Sequence, residues 1–142
     1  MFLAERYICE FLEGCPDIEE LVPLFWQKHR RKIKPFYKEL HKSDDVVISA
    51  SFGFVLRYIA KEMGIENLVC SEVDIEERKV IKLCYRGAKV SLFKSVFPDS
   101  EINDFYTDSL NDMPLMKLAK GRVFMVKGRN IKIFDSERTG VR

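Results

Sequence analysis

The sequence predicts an α/β fold, a parallel β-sheet covered by helices, and three observations predict it. From residue 44 onward, short apolar runs alternate with stretches of helical period. The run DDVVISAS, residues 44–51, ends its apolar part in small polar residues, as a buried parallel strand does where it meets its loop. Glycine and proline stand where elements should stop, at Gly14, Pro35, Gly64 and Pro98.

The elements follow in order. Phe2, Leu3, Tyr7, Ile8, Phe11 and Leu12 fall at helical spacing over residues 2–13, and Gly14 ends that helix. The sequence thus opens inside an amphipathic helix with no capping residue ahead of it. Pro16 and Asp17 open a second helix whose apolar side carries Ile18, Leu21, Val22, Leu24, Phe25 and Trp26. A basic run, KHRRKIK, leads to Pro35 and the shorter stretch FYKELHK. The first 42 residues are therefore helical, with no catalytic pattern among them. Val46 to Ile48 form the first strand, followed by a helix over about 53–63 closed by Gly64. LVCSEVDI and VIKLCY read as strands on either side of an EERK turn, and Gly87 to Phe97 as a helix. INDFYTD is a strand, PLMKLA a short helix, and RVFMVKG and NIKIFD the last strands.

Composition narrows the function classes. A chain of 142 residues is enough for one real core and too short for two ordinary domains. The net charge of +2 gives no global pull toward nucleic acid or an anionic membrane. The basic stretch Gln27–Lys34 is flanked by acidic segments and reads as a solvated face rather than a nucleic-acid module. Cys9, Cys15, Cys70 and Cys84 show no metal-ligand spacing, and with only His29 and His41 beside them a zinc site is not expected. Reduced thiols are the expected state. No segment approaches the roughly 18 apolar residues of a membrane span. The first residues, broken by Glu5, Arg6 and Glu10, lack the pattern of a signal peptide, so a soluble cytoplasmic protein is expected.

In an open α/β sheet the ligand lies outside the carboxyl ends of the strands. Three such places stand out. Ser49, after VVI, offers a hydroxyl and an amide to a phosphate. Asp108 and Asp112, after DFYT, are hard oxygen ligands of the kind magnesium takes. Lys89, in CYRGAKV, brings positive charge. Together they form a kit for holding a phosphoryl group and neutralising its developing charge. Singly, each has a plainer reading: a helix N-cap for the serine, a solvated side chain for the lysine, turn caps for the two acids.

VVISASFGF, then CYRGAKV, then YTDSLNDMPLM resemble, in that order, motifs II, III and IV of the haloacid dehalogenase superfamily, in particular its phosphoserine-phosphatase-like branch. The resemblance implies a Rossmann-like, three-layer αβα core over residues 44–142. Residues 1–43, including PDIEELVPLFWQKHRRKIKPFY, would be the remnant of a helical cap. It also implies a magnesium-dependent phosphomonoesterase acting on a small phosphorylated metabolite. Ser49 would then contact a phosphate oxygen and Lys89 balance phosphate and carboxylate charge. Asp108 would bind magnesium, and Asp112 would support the metal or Lys89 from behind. Asn111 and Ser109 would shape the loop. Two positions depart from the pattern: Phe52 replaces a small residue after the motif II turn, and Leu83 replaces an asparagine before the cysteine.

The same resemblance implies an aspartate nucleophile and an acid/base aspartate two residues later, in DxDx(T/V) on a central strand before the cap. Nothing ahead of Ser49 matches that motif. Glu72 and Asp74 in CSEVDI follow a strand, but a hairpin explains them. Asp135, Glu137 and Thr139 form a D-x-E-x-T pattern after IKIF, which a polar tail also explains. The expectation is a phosphatase-type chain without its nucleophile, inactive by itself; the alternative is a non-catalytic protein that binds a phospho-ligand or partner. Loss of a central strand would leave open sheet edges through which the chain self-associates.

Overall fold

The computed structural model describes residues 3–15 and 17–135, with side chains from Arg6 onward. The fold is α/β. Three helices come first: α1 (Leu3–Gly14), α2 (Ile18–His29), which runs into a 3-10 turn at Arg30–Lys32, and α3 (Pro35–Leu40). Strand β1 (Val46–Phe52), α4 (Gly53–Met63), β2 (Asn67–Asp74), β3 (Lys79–Lys82) and α5 (Ala88–Val96) follow. The chain ends with β4 (Phe105–Thr107), a 3-10 turn at Leu110–Asp112, α6 (Met113–Met116), β5 (Val123–Lys127) and β6 (Asn130–Ile133).

The sheet differs from the single parallel one expected. It divides into two three-stranded sheets, ordered β1-β2-β3 and β4-β5-β6. In each, the first pair is parallel and the second antiparallel. The reason is loop length. Parallel neighbours need a crossover, which α4 supplies between β1 and β2; four residues between β2 and β3, and two between β5 and β6, permit only hairpins. Gly128 takes φ 59° in the shorter one, the left-handed conformation such a turn requires. β1 pairs only with β2, and β4 only with β5, so each has one edge without a strand partner among the described residues.

β1 also runs further than expected. Ser49 faces Cys70 while Phe52 faces Ser71, so Ala50 and Ser51 bulge from the ladder. The Ser51 N–H donates to Ser49 Oγ at 3.1 Å within this bulge. α4 therefore starts at Gly53, and Ser49 is not its N-cap. At the other end Gly64, at φ 68°, closes α4 as predicted, its N–H bonding to the carbonyls of Ala60 and Lys61.

The N-terminal helices lean on the first sheet. Leu12 of α1, Ile18 of α2 and Val73 of β2 are buried together, with Ile8, Cys15, Phe52, Phe54, Ile75 and Val80 around them. Each such apolar side chain taken from water contributes on the order of 1.5–3 kcal/mol. α2 is further tied to α4 by Trp26, whose Nε1–H donates to the Val55 carbonyl at 2.6 Å, and Arg30 pairs with Glu62. α3 reaches the second sheet instead: Phe36 stacks on Tyr106 of β4 with centroids 5.6 Å apart, and Tyr106 stacks on Phe124 of β5. Among the described residues no helix is long and apolar enough to cross a membrane.

Candidate active site

A cavity of about 300 Å³ opens where the two sheets face each other. Ile48, Ser49 and Ala50 of β1 line one side; Tyr106 and Thr107 of β4, Asp108 after it, and Val126 of β5 line the other. Lys89 and Asp112 reach it from α5 and the 3-10 turn, Lys34 and Phe36 from the start of α3. Four of the residues singled out from the sequence, Ser49, Lys89, Asp108 and Asp112, thus share one cavity. Asn111 does not line it; its side chain is exposed and its backbone N–H donates to Ser109 Oγ.

The four are not equivalent. Lys89 is buried on α5, against the expectation for a lysine on a helix, and its Nζ donates to Asp112 Oδ1 at 2.6 Å. The other Asp112 oxygen accepts from Thr107 Oγ1 at 2.7 Å, and Thr107 in turn accepts from the Ser109 N–H at 3.1 Å. Both oxygens of Asp112 are therefore committed, and the side chains of the pair are only 11% and 14% exposed. Asp108 is the opposite case. Its side chain is 61% exposed, and Oδ2 accepts from Lys34 Nζ at 2.7 Å. The hydrogen bond from Lys34, ahead of all other influences, holds the Asp108 carboxyl below the ordinary carboxylate range.

Three side chains that sequence reading passed over complete the site. Lys34 belongs to the basic run taken as a solvated face, and pairs across 74 residues, so no spacing signals it. Thr107 stands inside the quoted motif without an assigned role. Ser71, 1% exposed on β2, donates to the Ala50 carbonyl and accepts the Cys84 N–H, both at 2.8 Å. It thereby fastens the bulge beside Ser49 to the loop that leads to Lys89. Burial raises the Cys84 thiol, and raises Cys70, with help from Glu72, to about 11. These two thiols are protonated packing groups rather than nucleophiles.

The substitutes for a nucleophile fall elsewhere. Glu72 pairs with Arg57, and Asp74 accepts the Glu77 N–H of the hairpin turn at 2.9 Å. Asp135 lines a second cavity, of about 520 Å³, with Asp108, Met125, Lys127 and Lys132. Glu137 and Thr139 of the same pattern lie outside the described residues. In the basic stretch, Arg30 and Lys34 are engaged inside the molecule rather than presented together.

Of the two described carboxylates that line this cavity, Asp108 is the one open enough to take a metal ion. Its oxygen already holds an ammonium, and water reaches it. Among the described residues no group of three or more His, Cys, Asp or Glu side chains gathers there. A single open carboxylate fits magnesium, which keeps its waters and borrows oxygens from a bound phosphate, and does not fit an ion that needs a full protein cage.

The model of the haloacid dehalogenase-like hydrolases matches residues 3–117. That span takes in Lys34, Ser49, Lys89, Asp108 and Asp112. No curated protein and no solved structure gave a significant match. With most of its length matched, and its acids and lysines gathered at strand ends, the chain belongs to the haloacid dehalogenase-like hydrolase family.

Proposed function

We propose that the chain carries the phosphate- and magnesium-holding side of a phosphomonoesterase site of the phosphoserine-phosphatase-like kind, for a small phosphorylated metabolite. The convergence of Ser49, Lys89 and Asp108 on one cavity supports this reading. The Ser49 hydroxyl donates to a phosphate oxygen. Lys89, held by Asp112, which Thr107 holds in turn, presents its charge without needing to move. Asp108 holds the metal, whose charge offsets that developing on the phosphoryl group. The two carboxylates that line the cavity, Asp108 and Asp112, are both ion-paired, and this reading gives neither of them the attacking role. By this reading the nucleophile comes from outside the described residues, and the 142-residue chain alone binds without turning over.

The same ion pairs favour a second reading, a non-catalytic protein that binds a phosphorylated ligand. Assay of p-nitrophenyl phosphate with magnesium separates the outcomes. No hydrolysis is expected from this chain, and turnover that disappears in Asp108→Asn would refute its inactivity. An in-frame DxDxT strand in the DNA upstream of Met1 would favour the enzyme, and an immediate stop codon the binder. The open edges of β1 and β4 also make self-association part of the proposal, read by sedimentation across concentrations.

A further inference from the structure

Two lysine–aspartate pairs line the cavity, and they are built differently. Lys89–Asp112 is enclosed and braced by Thr107. Lys34–Asp108 is half open, with side chains 34% and 61% exposed. Among the described residues no side chain other than Lys34 hydrogen-bonds the carboxylate of the second pair, only its own backbone N–H, and the pair joins elements far apart in the chain. We infer that Lys34 is an internal counter-cation for Asp108, which a divalent metal ion displaces, and that the freed ammonium then serves the bound anion.

The geometry supports each half of the exchange. Lys34 precedes Pro35, the first residue of α3, and Phe36 of that helix is stacked on Tyr106. Its backbone is thus fixed at the cavity rim, while the ammonium sits on a flexible four-carbon stem that can swing. A dication brought to Asp108, even at Oδ1, stands close to the ammonium on Oδ2, and the two repel. When the metal enters, Lys34 remains among the lining residues with nothing to neutralise except an incoming anion. The formal charges agree. Lys34, Lys89, Asp108 and Asp112 sum to zero, so the cavity without metal has no net attraction for a phosphate. A dication raises the sum to +2, which a phosphomonoester dianion cancels. Loading is thus ordered, metal first, and metal and phosphate strengthen each other's binding.

This inference rests on the assignment of metal to Asp108, and the test separates the two. Manganese, as the probe, is titrated into the whole chain without phosphate, and free ion is followed by electron paramagnetic resonance. Lys34→Met is expected to bind it more tightly than the unsubstituted chain, by up to about fivefold, the scale of a partly exposed ion pair. Asp108→Asn should abolish binding in both backgrounds. Inorganic phosphate should then bind the manganese-loaded Lys34→Met chain more weakly than the unsubstituted one. Lys34→Gln, which also lacks the charge, repeats the comparison if the methionine variant is unfolded by circular dichroism. Equal manganese affinity with and without the lysine charge overturns the exchange and leaves the metal assignment standing. Absence of any Asp108-dependent binding overturns both, and unchanged phosphate affinity overturns the role given to the freed ammonium.

Discussion

Removal of one member of the Lys89–Asp112 pair should cost far more than a surface ion pair is worth. At 2.6 Å the gross attraction is large, about 6 kcal/mol for an effective dielectric near 20. Much of it offsets the desolvation of two side chains that retain 11% and 14% of their exposure. The net value of the pair is therefore small, but deleting one partner strands the other charge. Lys89→Met leaves Asp112 with the Thr107 hydroxyl alone, and Asp112→Asn leaves an ammonium facing an amide. Each should lose about 3 kcal/mol, the lower end for a broken buried pair. For 142 residues that corresponds to a melting temperature lower by about 10 °C. The double variant should lose less than either single one, since it strands no charge, so the coupling is at least about 3 kcal/mol. Urea unfolding followed by far-ultraviolet circular dichroism measures all four corners of the cycle. Single losses under about 0.5 kcal/mol, the surface value, would refute the reasoning, as would losses that simply add.

Three further outcomes are expected. Because Lys34 holds the Asp108 carboxyl below 3.8, the folded chain takes up that proton less readily than the unfolded one. The resulting stability is present above about pH 4 and fades as pH falls through the lowered value, so Asp108→Asn should flatten the acid limb of the urea midpoint against pH. Ser71→Ala strands the Cys84 N–H and the Ala50 carbonyl and should cost about 1–3 kcal/mol, whereas a loss near zero would show the two groups finding other partners. Iodoacetamide at about pH 8 should modify Cys9 and Cys15 before Cys70 and Cys84, in an order that peptide mass spectrometry reads, since the latter two are buried and protonated.

How much of this was legible in the sequence depended on distance along the chain. Gly64 as the end of α4 rests on local chemistry and stands where it was read, whereas the apolar runs form strands with shifted ends, β1 running on to Phe52 and β3 stopping at Lys82. The division of the sheet was harder to see. The hairpin at the EERK turn was legible, but not that it and the hairpin after β5 would leave two mixed sheets in place of one parallel one. At the site, Ser49, Lys89, Asp108 and Asp112 were found through the order of three motifs. Their inequality was hidden, because it depends on Thr107 closing over Asp112 and on Lys34 arriving from the start of α3. Asn111 illustrates the converse: it is adjacent in sequence yet turned away, because the 3-10 turn that places Asp112 toward Lys89 leaves Asn111 outside.

The lone tryptophan has a consequence for any spectroscopist. Trp26 reports from the seam between α2 and α4, beside the first sheet, while β4, β5 and β6 contain none. Its emission follows half of the molecule, and the aromatic stack of Phe36, Tyr106 and Phe124 belongs to the other half. Tryptophan fluorescence thus witnesses the first sheet, and the second, which shares no strand with it, needs a probe of its own, such as the hydrogen exchange of the β5 and β6 amides. Coincident stabilities would mean one cooperative unit, and separated ones two.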